Sequence, residues 1–211
     1  MKKKTIVFDL DDTLVKEIDY LKSAFREIAS DAGDIGLHSQ MMEWYYAKQD
    51  VFGNMEAQLG KPLKARFRQL YRNHFPDFDR LSNNRNLLLE LKSEGFKLGM
   101  VTDGYSVTQR NKLRALDIED IFDLVIVSEE FGSAKPDERN FSVFHQFKTD
   151  RYFYVSDNVA KDFIAPNTLG WTTICLIDDG SNIHKQDFER GPEYLPNYKI
   201  SDLREIRNYI Y

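Results

Sequence analysis

Three carboxylates follow directly on a short apolar run near the start of the chain. Ile6-Val7-Phe8 is typical of a short buried strand, and Asp9, Asp11 and Asp12 come immediately after it. If the backbone stays extended there, Asp9 and Asp11 point to one side and Asp12 to the other. Two carboxylates that face the same space repel each other, so one must bind a proton or both must share a cation. A hard divalent cation that prefers oxygen ligands is the expected partner.

The acidic stretch also has two ordinary interpretations, a plain turn and a calcium-binding loop. Asp and Thr often cap helices, but no Glu or Gln stands three residues after Asp11, Asp12 or Thr13, so no capping box is present. A loop of the EF-hand kind would need glycine where Leu14 stands and glutamate where Tyr20 stands. A functional site is therefore favoured, with a plain turn as the weaker alternative.

Composition excludes several classes of protein. The 211 residues suit one domain with an insertion or two small domains, and the net charge of -5 gives no basic excess for a nucleic-acid partner. The single cysteine, Cys175, lies in an apolar run, which suits a core position and a reducing compartment. Asp9 interrupts the apolar stretch after Met1–Lys4, so we expect no signal peptide, and no apolar run is long enough for a membrane. We expect a cytoplasmic protein that does not bind membranes, either a monomer or a dimer.

The order of predicted elements indicates an α/β fold with a doubly wound parallel sheet, because strands alternate with helices in the second half of the chain. The block 16–82 shows helical spacing and no convincing strand, so we predict a helical cap domain there, inserted into a Rossmann-like core of residues 1–15 and 83–211. Strands are predicted at 4–8, 96–101, 124–127, 152–155 and 172–177. Helices are predicted at 17–31, 39–52, between Pro62 and Pro76, before Gly95, at 106–117, 137–148, 164–169 and 201–210.

Polar groups follow three further strands. Thr102-Asp103-Gly104 follows the second strand, a loop to Lys135 follows the third, and Asp157 follows the fourth, with Asp162 shortly after it. Ligands of such sheets bind beyond the carboxyl ends of the strands, so these groups are expected near Asp9 and Asp11. Ser106-Val107-Thr108-Gln109 has the spacing of a capping box, and the free amides of the helix it opens would suit an anion such as phosphate.

Each of these residues also has an ordinary explanation. Thr102 and Gly104 are common at strand ends and turns, and Asp157 is a favoured helix cap. Lys135 stands at a predicted helix start, where a lysine opposes the helix dipole, so its position makes sense beside an anion or the carboxylates. Asp157 would supply a metal ligand from a second strand end, and Asp162 would orient Lys135 or a metal-bound water.

Taken together, these stretches resemble the four ordered motifs of the haloacid dehalogenase (HAD) superfamily of hydrolases. The resemblance rests on Phe8-Asp9-Leu10-Asp11-Asp12-Thr13-Leu14, Val101-Thr102-Asp103-Gly104, Ala134-Lys135-Pro136-Asp137, and Ser156-Asp157-Asn158 with Asp162. It implies a phosphatase with a helical cap inserted after the first motif. Displacing halide from carbon requires no acid at the position of Asp11. Because this sequence has an acid there, dehalogenation is disfavoured.

The resemblance assigns Asp9 as the nucleophile, which forms an aspartyl phosphate. Asp11 is then the general acid for the leaving oxygen and afterwards the base for water. A Mg²⁺ ion is expected on Asp9, the backbone carbonyl of Asp11, and Asp157. The phosphoryl oxygens are expected on Thr102, the backbone amides of Asp103 and Gly104, and Lys135. Asp162 and Thr13 are expected to support the site from behind, Thr13 by shaping the first loop.

Two positions depart from the family pattern. Asp103 stands where Asn is common, and Ser156 stands where Gly is common. An additional negative charge at Asp103 weakens anion binding unless its carboxylate is paired or points away. Neither change removes a reacting group.

The expected substrate is a small phosphorylated metabolite, such as a sugar phosphate or a nucleotide. A sugar phosphomutase shares all four motifs and stays the principal alternative. A catalytically silent phosphate-binding or regulatory protein is less favoured, because Asp9, Asp11, Lys135 and Asp157 are all present. In the cap, Trp44, Tyr45, Tyr46 and Phe52 suit either a core or a stacking surface, and the core interpretation is favoured.

Overall fold

Six parallel strands form one sheet at the centre of the protein. The computed structural model describes residues 3–78 and 84–211, so Met1, Lys2 and the predicted boundary between residues 82 and 83 lie outside the described part. The sheet order is β3-β2-β1-β4-β5-β6. The strands are β1 (Lys4–Phe8), β2 (Lys97–Thr102), β3 (Leu124–Val127), β4 (Arg151–Ser156), β5 (Thr172–Leu176) and β6 (Tyr198–Ile200). The predicted α/β fold with a parallel sheet is confirmed.

Strand β1 lies in the middle of the sheet, and this position creates the site. Phe8 pairs with Met100 of β2 on one side and Val155 of β4 on the other. The chain order runs outward from β1 in both directions, so a crevice opens at the carboxyl end of β1. Ile6 and Val7 are fully buried and face opposite apolar clusters, as expected for a strand covered on both faces.

The described residues from 17 to 78 contain four helices and no strand. These helices are α1 (Glu17–Asp31), α2 (Leu37–Tyr46), α3 (Val51–Leu59) and α4 (Lys64–Asn73). They pack on each other through their own apolar cluster, which includes Phe25, Ile28, Met41, Met55 and Phe67. We call these four helices the cap, and its standing as a separate domain remains a proposal.

Further helices surround the sheet. They are α5 (Asn84–Ser93), α6 (Ser106–Ala115), α7 (Ser128–Phe131), α8 (Arg139–Ser142), α9 (Ile164–Thr168) and α10 (Arg207–Ile210). The predicted helix at 137–148 is only partly right, since α8 continues as a 3-10 helix over Val143–Phe147. The predicted helix at 201–210 likewise begins as a 3-10 segment, Leu203–Ile206.

The predicted helix at 39–52 is wrong, because the chain breaks it into α2 and α3. Lys48 adopts a left-handed backbone conformation with φ of 57°, which an α-helix does not accommodate. The carboxylate of Asp50 then accepts a hydrogen bond from the Gly53 amide at 3.1 Å and starts the next helix. The apolar spacing continues across this break, which hides it from a periodicity argument.

Strand β6 has no counterpart among the predicted strands. This strand has three residues at the edge of the sheet, and Tyr198 and Lys199 are exposed while Ile200 is buried. A strand this short gives no alternating pattern to detect. No helix in the two described ranges is long and apolar enough to cross a membrane.

Helix α6 joins the core to the end of the cap. Thr108 donates a hydrogen bond to the Arg72 carbonyl at 2.8 Å, and the Asn111 amide donates to the His74 carbonyl at 3.0 Å. The Arg72 guanidinium lies over the Tyr105 ring, 4.1 Å from its centre. These contacts place the beginning of α6 between the cap and the carboxyl edge of the sheet.

Candidate active site

The carboxyl ends of the central strands border a cavity of about 140 Å³. Six predicted site residues line it together, namely Asp9, Asp11, Thr102, Asp103, Lys135 and Asp157. They come from four separate parts of the sequence and meet because parallel strands end at one edge of the sheet. We call this space the catalytic cavity.

Lys135 is the central cation of the cavity, and its side chain is 3% exposed. Its Nζ donates to Asp9 Oδ1 at 2.8 Å and to Asp162 Oδ2 at 2.7 Å. Burial alone lowers the pKa of Lys135, but the Asp162 and Asp9 carboxylates outweigh burial and hold the pKa well above its ordinary value. Lys135 therefore stays a cation beside Asp9.

Asp162 holds Lys135 from behind and is fully buried. Its Oδ2 also accepts hydrogen bonds from Tyr154 at 2.9 Å and from Ser156 at 2.5 Å. Ser156 Oγ lies 3.5 Å from Asp9 Oδ2 as well. The departure from glycine at Ser156 thus adds a hydroxyl that connects Asp162 with the edge of Asp9.

Asp9 and Asp157 carry more negative charge than the cations beside them compensate. Burial raises the pKa of Asp9 to about 7, with Asp162 and Asp11 adding to the rise and Lys135 opposing it. Burial also raises the pKa of Asp157 to about 8, with further contributions from Asp9, Asp12 and Asp162. The Asp157 side chain accepts one hydrogen bond, from Asn182 Nδ2 at 2.9 Å. These raised pKa values indicate that the two carboxylates need a further positive charge to remain ionised.

The oxygen atoms present suit Mg²⁺. Within residues 3–78 and 84–211, no three His, Cys, Asp or Glu side chains are grouped closely enough to hold a metal by themselves. Mg²⁺ is commonly held by one or two carboxylates, with water and phosphate oxygens completing its shell. Asp9 and Asp157 supply two such carboxylates at one cavity, and their negative charge favours a cation, while the metal contact expected of the Asp11 carbonyl stays a prediction.

Asp11 is held by helix α6. Lys112 Nζ donates to Asp11 Oδ1 at 2.6 Å, and Gln109 Nε2 donates to Asp11 Oδ2 at 2.9 Å. The Lys112 side chain is 3% exposed and lies 4.6 Å from the centre of the Tyr20 ring. Gln109 also donates to Thr102 Oγ1. Both oxygens of Asp11 are therefore fixed from a direction that the sequence analysis did not anticipate.

The predicted capping box at the start of α6 is wrong. Ser106 is already inside the helix, Tyr105 is the N-cap, and no side chain caps the first turn. Ser106 Oγ instead donates to Glu130. Gln109 instead donates to Asp11 and Thr102 at the cavity.

Asp12 ties two loops together rather than facing solvent. Its backbone has φ of 53°, and its carboxylate accepts the Glu17 amide at 2.9 Å and the Ile183 amide at 3.0 Å. Thr13 is buried next to it, and its hydroxyl has no hydrogen-bond partner among the described residues. The loop after β1 is thus shaped mainly by Asp12, while the role of Thr13 stays a prediction.

The charge of Asp103 is compensated. Its carboxylate accepts the Lys135 backbone amide at 3.0 Å and pairs with the ammonium group of Lys161. Gly104 lies outside the lining of the catalytic cavity, and its amide donates to Ser128 Oγ at 2.9 Å. The phosphate contact expected of the Gly104 amide stays a prediction.

Three lining residues escaped the sequence analysis, namely Glu17, Lys161 and His184. Glu17 is the first residue of α1, and burial raises its pKa to about 7, with Asp11 adding to the rise and Lys112 opposing it. His184 lies in the long loop after β5, which carries no recognisable motif. An acidic residue directly after the first motif, at a helix start, was the one available signal for Glu17.

Comparison with known proteins gives a consistent result. A family model described as haloacid dehalogenase-like hydrolase matches residues 6–176. The chain is 29% identical over 222 aligned residues to the glyceraldehyde 3-phosphate phosphatase of Methanocaldococcus jannaschii, covering 96% of this chain and 95% of that protein.

Solved structures share the fold. A protein described as a predicted phosphoglycolate phosphatase from Haemophilus somnus matches with a TM-score of 0.68 and 21% identity, covering 99% of this chain and 98% of that one. The HAD-hydrolase YfnB from Bacillus subtilis, bound to magnesium, matches with a TM-score of 0.67 and 19% identity, covering 100% and 99%.

Proposed function

We propose that this protein, which belongs to the haloacid dehalogenase-like hydrolase family, hydrolyses small phosphorylated metabolites through a phosphorylated Asp9. The observation that carries the proposal is the arrangement around Asp9. Its Oδ1 is held by the buried cation Lys135 at 2.8 Å, and Asp11 lines the same cavity. A nucleophile, a positive charge for the phosphoryl group and a proton carrier are thus within one small space.

In the first step, the Asp9 carboxylate attacks phosphorus, and the bond from phosphorus to the alcohol oxygen breaks. Asp11 gives its proton to that departing oxygen. Lys135 and the Thr102 hydroxyl stabilise the charge on the phosphoryl oxygens, which is the main requirement of this chemistry. The products of the step are the free alcohol and an Asp9 acyl phosphate.

In the second step, Asp11 takes a proton from water, and the water oxygen attacks the same phosphorus atom. The bond between phosphorus and Asp9 breaks, which releases inorganic phosphate and restores the carboxylate. Lys112 and Gln109 act as positioning residues here, because each holds one oxygen of Asp11. Fixing a proton carrier in place removes an entropic part of the barrier in both steps.

Asp9, Asp157 and the Asp11 carbonyl would hold Mg²⁺, which supplies positive charge to the phosphoryl oxygens and orients the ester for in-line attack. The protein also holds the Asp157 carboxylate in place for this contact. Asn182 fixes one Asp157 oxygen at 2.9 Å. Asp162 stays outside the cavity lining and holds Lys135 from behind.

The proposal is tested by release of inorganic phosphate from p-nitrophenyl phosphate and a panel of small phosphate esters. We expect turnover with Mg²⁺ and loss of turnover in EDTA that added Mg²⁺ restores. Full activity in EDTA, or no hydrolysis of any ester at any Mg²⁺ concentration, would overturn it. Phosphorus NMR with hexose phosphates distinguishes a mutase, which would form the isomeric ester without releasing phosphate.

A further inference from the structure

The first residue of the cap contributes a carboxylate to the catalytic cavity. Glu17 begins α1 and lines the cavity together with Asp11 and Asp12. Its backbone amide is held by Asp12 at 2.9 Å, which fixes the start of the helix. Its side chain forms no hydrogen bond or ion pair with any residue in the described part of the chain. The Glu17 side chain is therefore available for a bound molecule, since Asp12 uses only the Glu17 backbone amide.

The lysines of the cavity are already engaged. Lys135 contacts Asp9 and Asp162, and Lys161 contacts Asp103. No arginine is among the described residues that line the cavity. After a phosphoryl group is placed beside Lys135, no uncommitted lysine or arginine remains among the described lining residues for a second anionic group, and the His184 imidazole is the one remaining basic side chain of that lining. A carboxylate on the alcohol part of the ester would instead face the Glu17 charge.

We propose that Glu17 makes this enzyme selective for phosphate esters of small uncharged hydroxy compounds, and against esters whose alcohol part carries a carboxylate. The proposal rests on the proposed function and names the substrate class of the same site. A hydroxyl group of the alcohol donates a hydrogen bond to Glu17, whereas a carboxylate there is repelled. The cavity volume of about 140 Å³ lies below the roughly 300–1,000 Å³ of pockets for drug-sized ligands, which favours esters of a few carbon atoms.

The size of the effect follows from electrostatics. Two like charges a few ångströms apart near a protein surface repel strongly enough to change binding by at least about tenfold, even after screening by water. The Asp11 and Asp12 carboxylates add to the repulsion, while Lys112 reduces it in part. We therefore expect discrimination mainly in KM, because the repulsion acts on the ground state as well as on the transition state.

The experiment compares two esters that share a three-carbon skeleton, glycerol 3-phosphate and 3-phosphoglycerate. It is run with Mg²⁺ at pH 8, where Glu17 is ionised despite its raised pKa of about 7. We expect kcat/KM for glycerol 3-phosphate to exceed that for 3-phosphoglycerate by at least about tenfold. Glu17→Gln should reduce this ratio by at least about fivefold, chiefly by lowering KM for 3-phosphoglycerate.

Two matched variants separate the role of Glu17 from general charge and folding effects. Asp19→Asn makes the same charge change on the same helix, and Asp19 is exposed and outside the cavity lining, so the ratio should stay that of the wild type. Glu17→Asp keeps the charge and should keep the preference for glycerol 3-phosphate.

Equal or faster hydrolysis of 3-phosphoglycerate by the wild type, or an unchanged ratio in Glu17→Gln, would overturn the inference. In either case p-nitrophenyl phosphate hydrolysis still reports on the proposed function, whose own failure would appear as no turnover of any ester.

Discussion

The carboxyl edge of the sheet and the cap are stabilised in different ways. At the sheet edge, the buried charges Lys135, Asp9 and Asp162 hold one another through hydrogen bonds shorter than 3 Å. In the cap, Phe25 and Phe67 belong to an apolar cluster and the charged side chains lie mostly outside. We therefore assign the proposed reaction to the sheet edge, and we propose that the cap contributes shape and, at Glu17, one charge.

Helix α6 is where the two regions meet. Its Lys112 lies against the cap residue Tyr20 and binds the core residue Asp11. A movement of the cap relative to α6 would therefore change the contact between Lys112 and Asp11. Single substitutions can therefore test the separate contributions of the sheet edge and the cap.

The largest expected effect is at Asp9. Asp9→Asn should lower kcat by at least about 10⁴-fold, because an amide does not form the acyl phosphate. The measurement is steady-state phosphate release with Mg²⁺. Asp137→Asn is the control, since Asp137 is a carboxylate paired with Arg139 away from the cavity. An Asp9→Asn enzyme within tenfold of the wild-type rate would place the chemistry elsewhere.

The next effect tests whether the sheet edge depends on its buried cation. Lys135→Met leaves Asp9 and Asp162 without their shared ammonium group, so the free energy of unfolding should fall by about 3–5 kcal/mol and turnover should be lost. Lys161→Met removes a lysine of the same cavity whose side chain is 37% exposed, and should cost about 1 kcal/mol or less. Urea unfolding curves measure both. Equal costs would show that the buried network has no special weight.

Removing the metal should reveal the surplus of carboxylates. Asp157 has a raised pKa of about 8 when folded and an ordinary pKa when unfolded, so the unfolded state binds fewer protons between about pH 4 and pH 8. The metal-free protein should therefore lose stability as pH rises from 6 to 8, by about 2 kcal/mol from this group. Stabilisation by added Mg²⁺ should grow over the same range.

The Asp157→Asn variant provides the comparison for that pH series. It removes the titrating group, so the loss of stability between pH 6 and pH 8 should be smaller than in the wild type. Its Mg²⁺ requirement for turnover should increase by about 10- to 100-fold. A pH profile of melting temperature identical to that of the wild type would contradict the assignment of Asp157.

Lys112 tests the contact between α6 and Asp11. Alkyl phosphates need a proton on the leaving oxygen more than p-nitrophenyl phosphate does, so Lys112→Met should slow glycerol phosphate hydrolysis by about tenfold more than aryl hydrolysis. Lys112→Arg should restore part of the difference. Arg110→Met is the matched control on the same helix, because Arg110 pairs with Glu119 and Glu130 instead. Equal slowing of both esters would reduce Lys112 to a folding role.

The smallest effect is expected in the aromatic part of the cap. Trp44, Tyr45, Tyr46 and Phe52 all lie outside the lining of the catalytic cavity, and Tyr46 is 64% exposed. Tyr46→Ala should therefore leave kcat/KM for glycerol 3-phosphate within about threefold of the wild type. A loss of more than tenfold would mean that the cap binds substrate through its aromatic surface.

The same contrast explains how far sequence reasoning reaches. Buried strands such as β1 and β4 are apolar runs bounded by polar residues, so their positions and the convergence of Asp9, Lys135 and Asp157 follow from spacing and topology. The roles assigned to these residues stay proposals. The cap lacks such fixed reference points, and its break at Lys48 is invisible because apolar residues continue on both sides of it.

The site contacts that the sequence did not predict are contacts between distant segments of the chain. Lys112 and Asp11 are 101 residues apart in sequence, and Asn182 and Asp157 come from different loops. Neither pair leaves a local pattern, since any surface helix offers a lysine and any loop an asparagine. Gln109 shows the opposite difficulty, because it satisfied a local capping pattern while its partners lay across the cavity.

We expect Asp9 to carry the phosphoryl group during turnover. Mixing the Asp11→Asn variant with excess substrate and Mg²⁺, quenching in acid within milliseconds to minutes, and mapping peptides by mass spectrometry tests it directly. We predict an acid-stable, hydroxylamine-labile phosphoryl group on Asp9, accumulating because the variant lacks the base for the second step. Phosphate release by the wild type with no adduct at any time in either protein, or an adduct on another residue, would contradict the account.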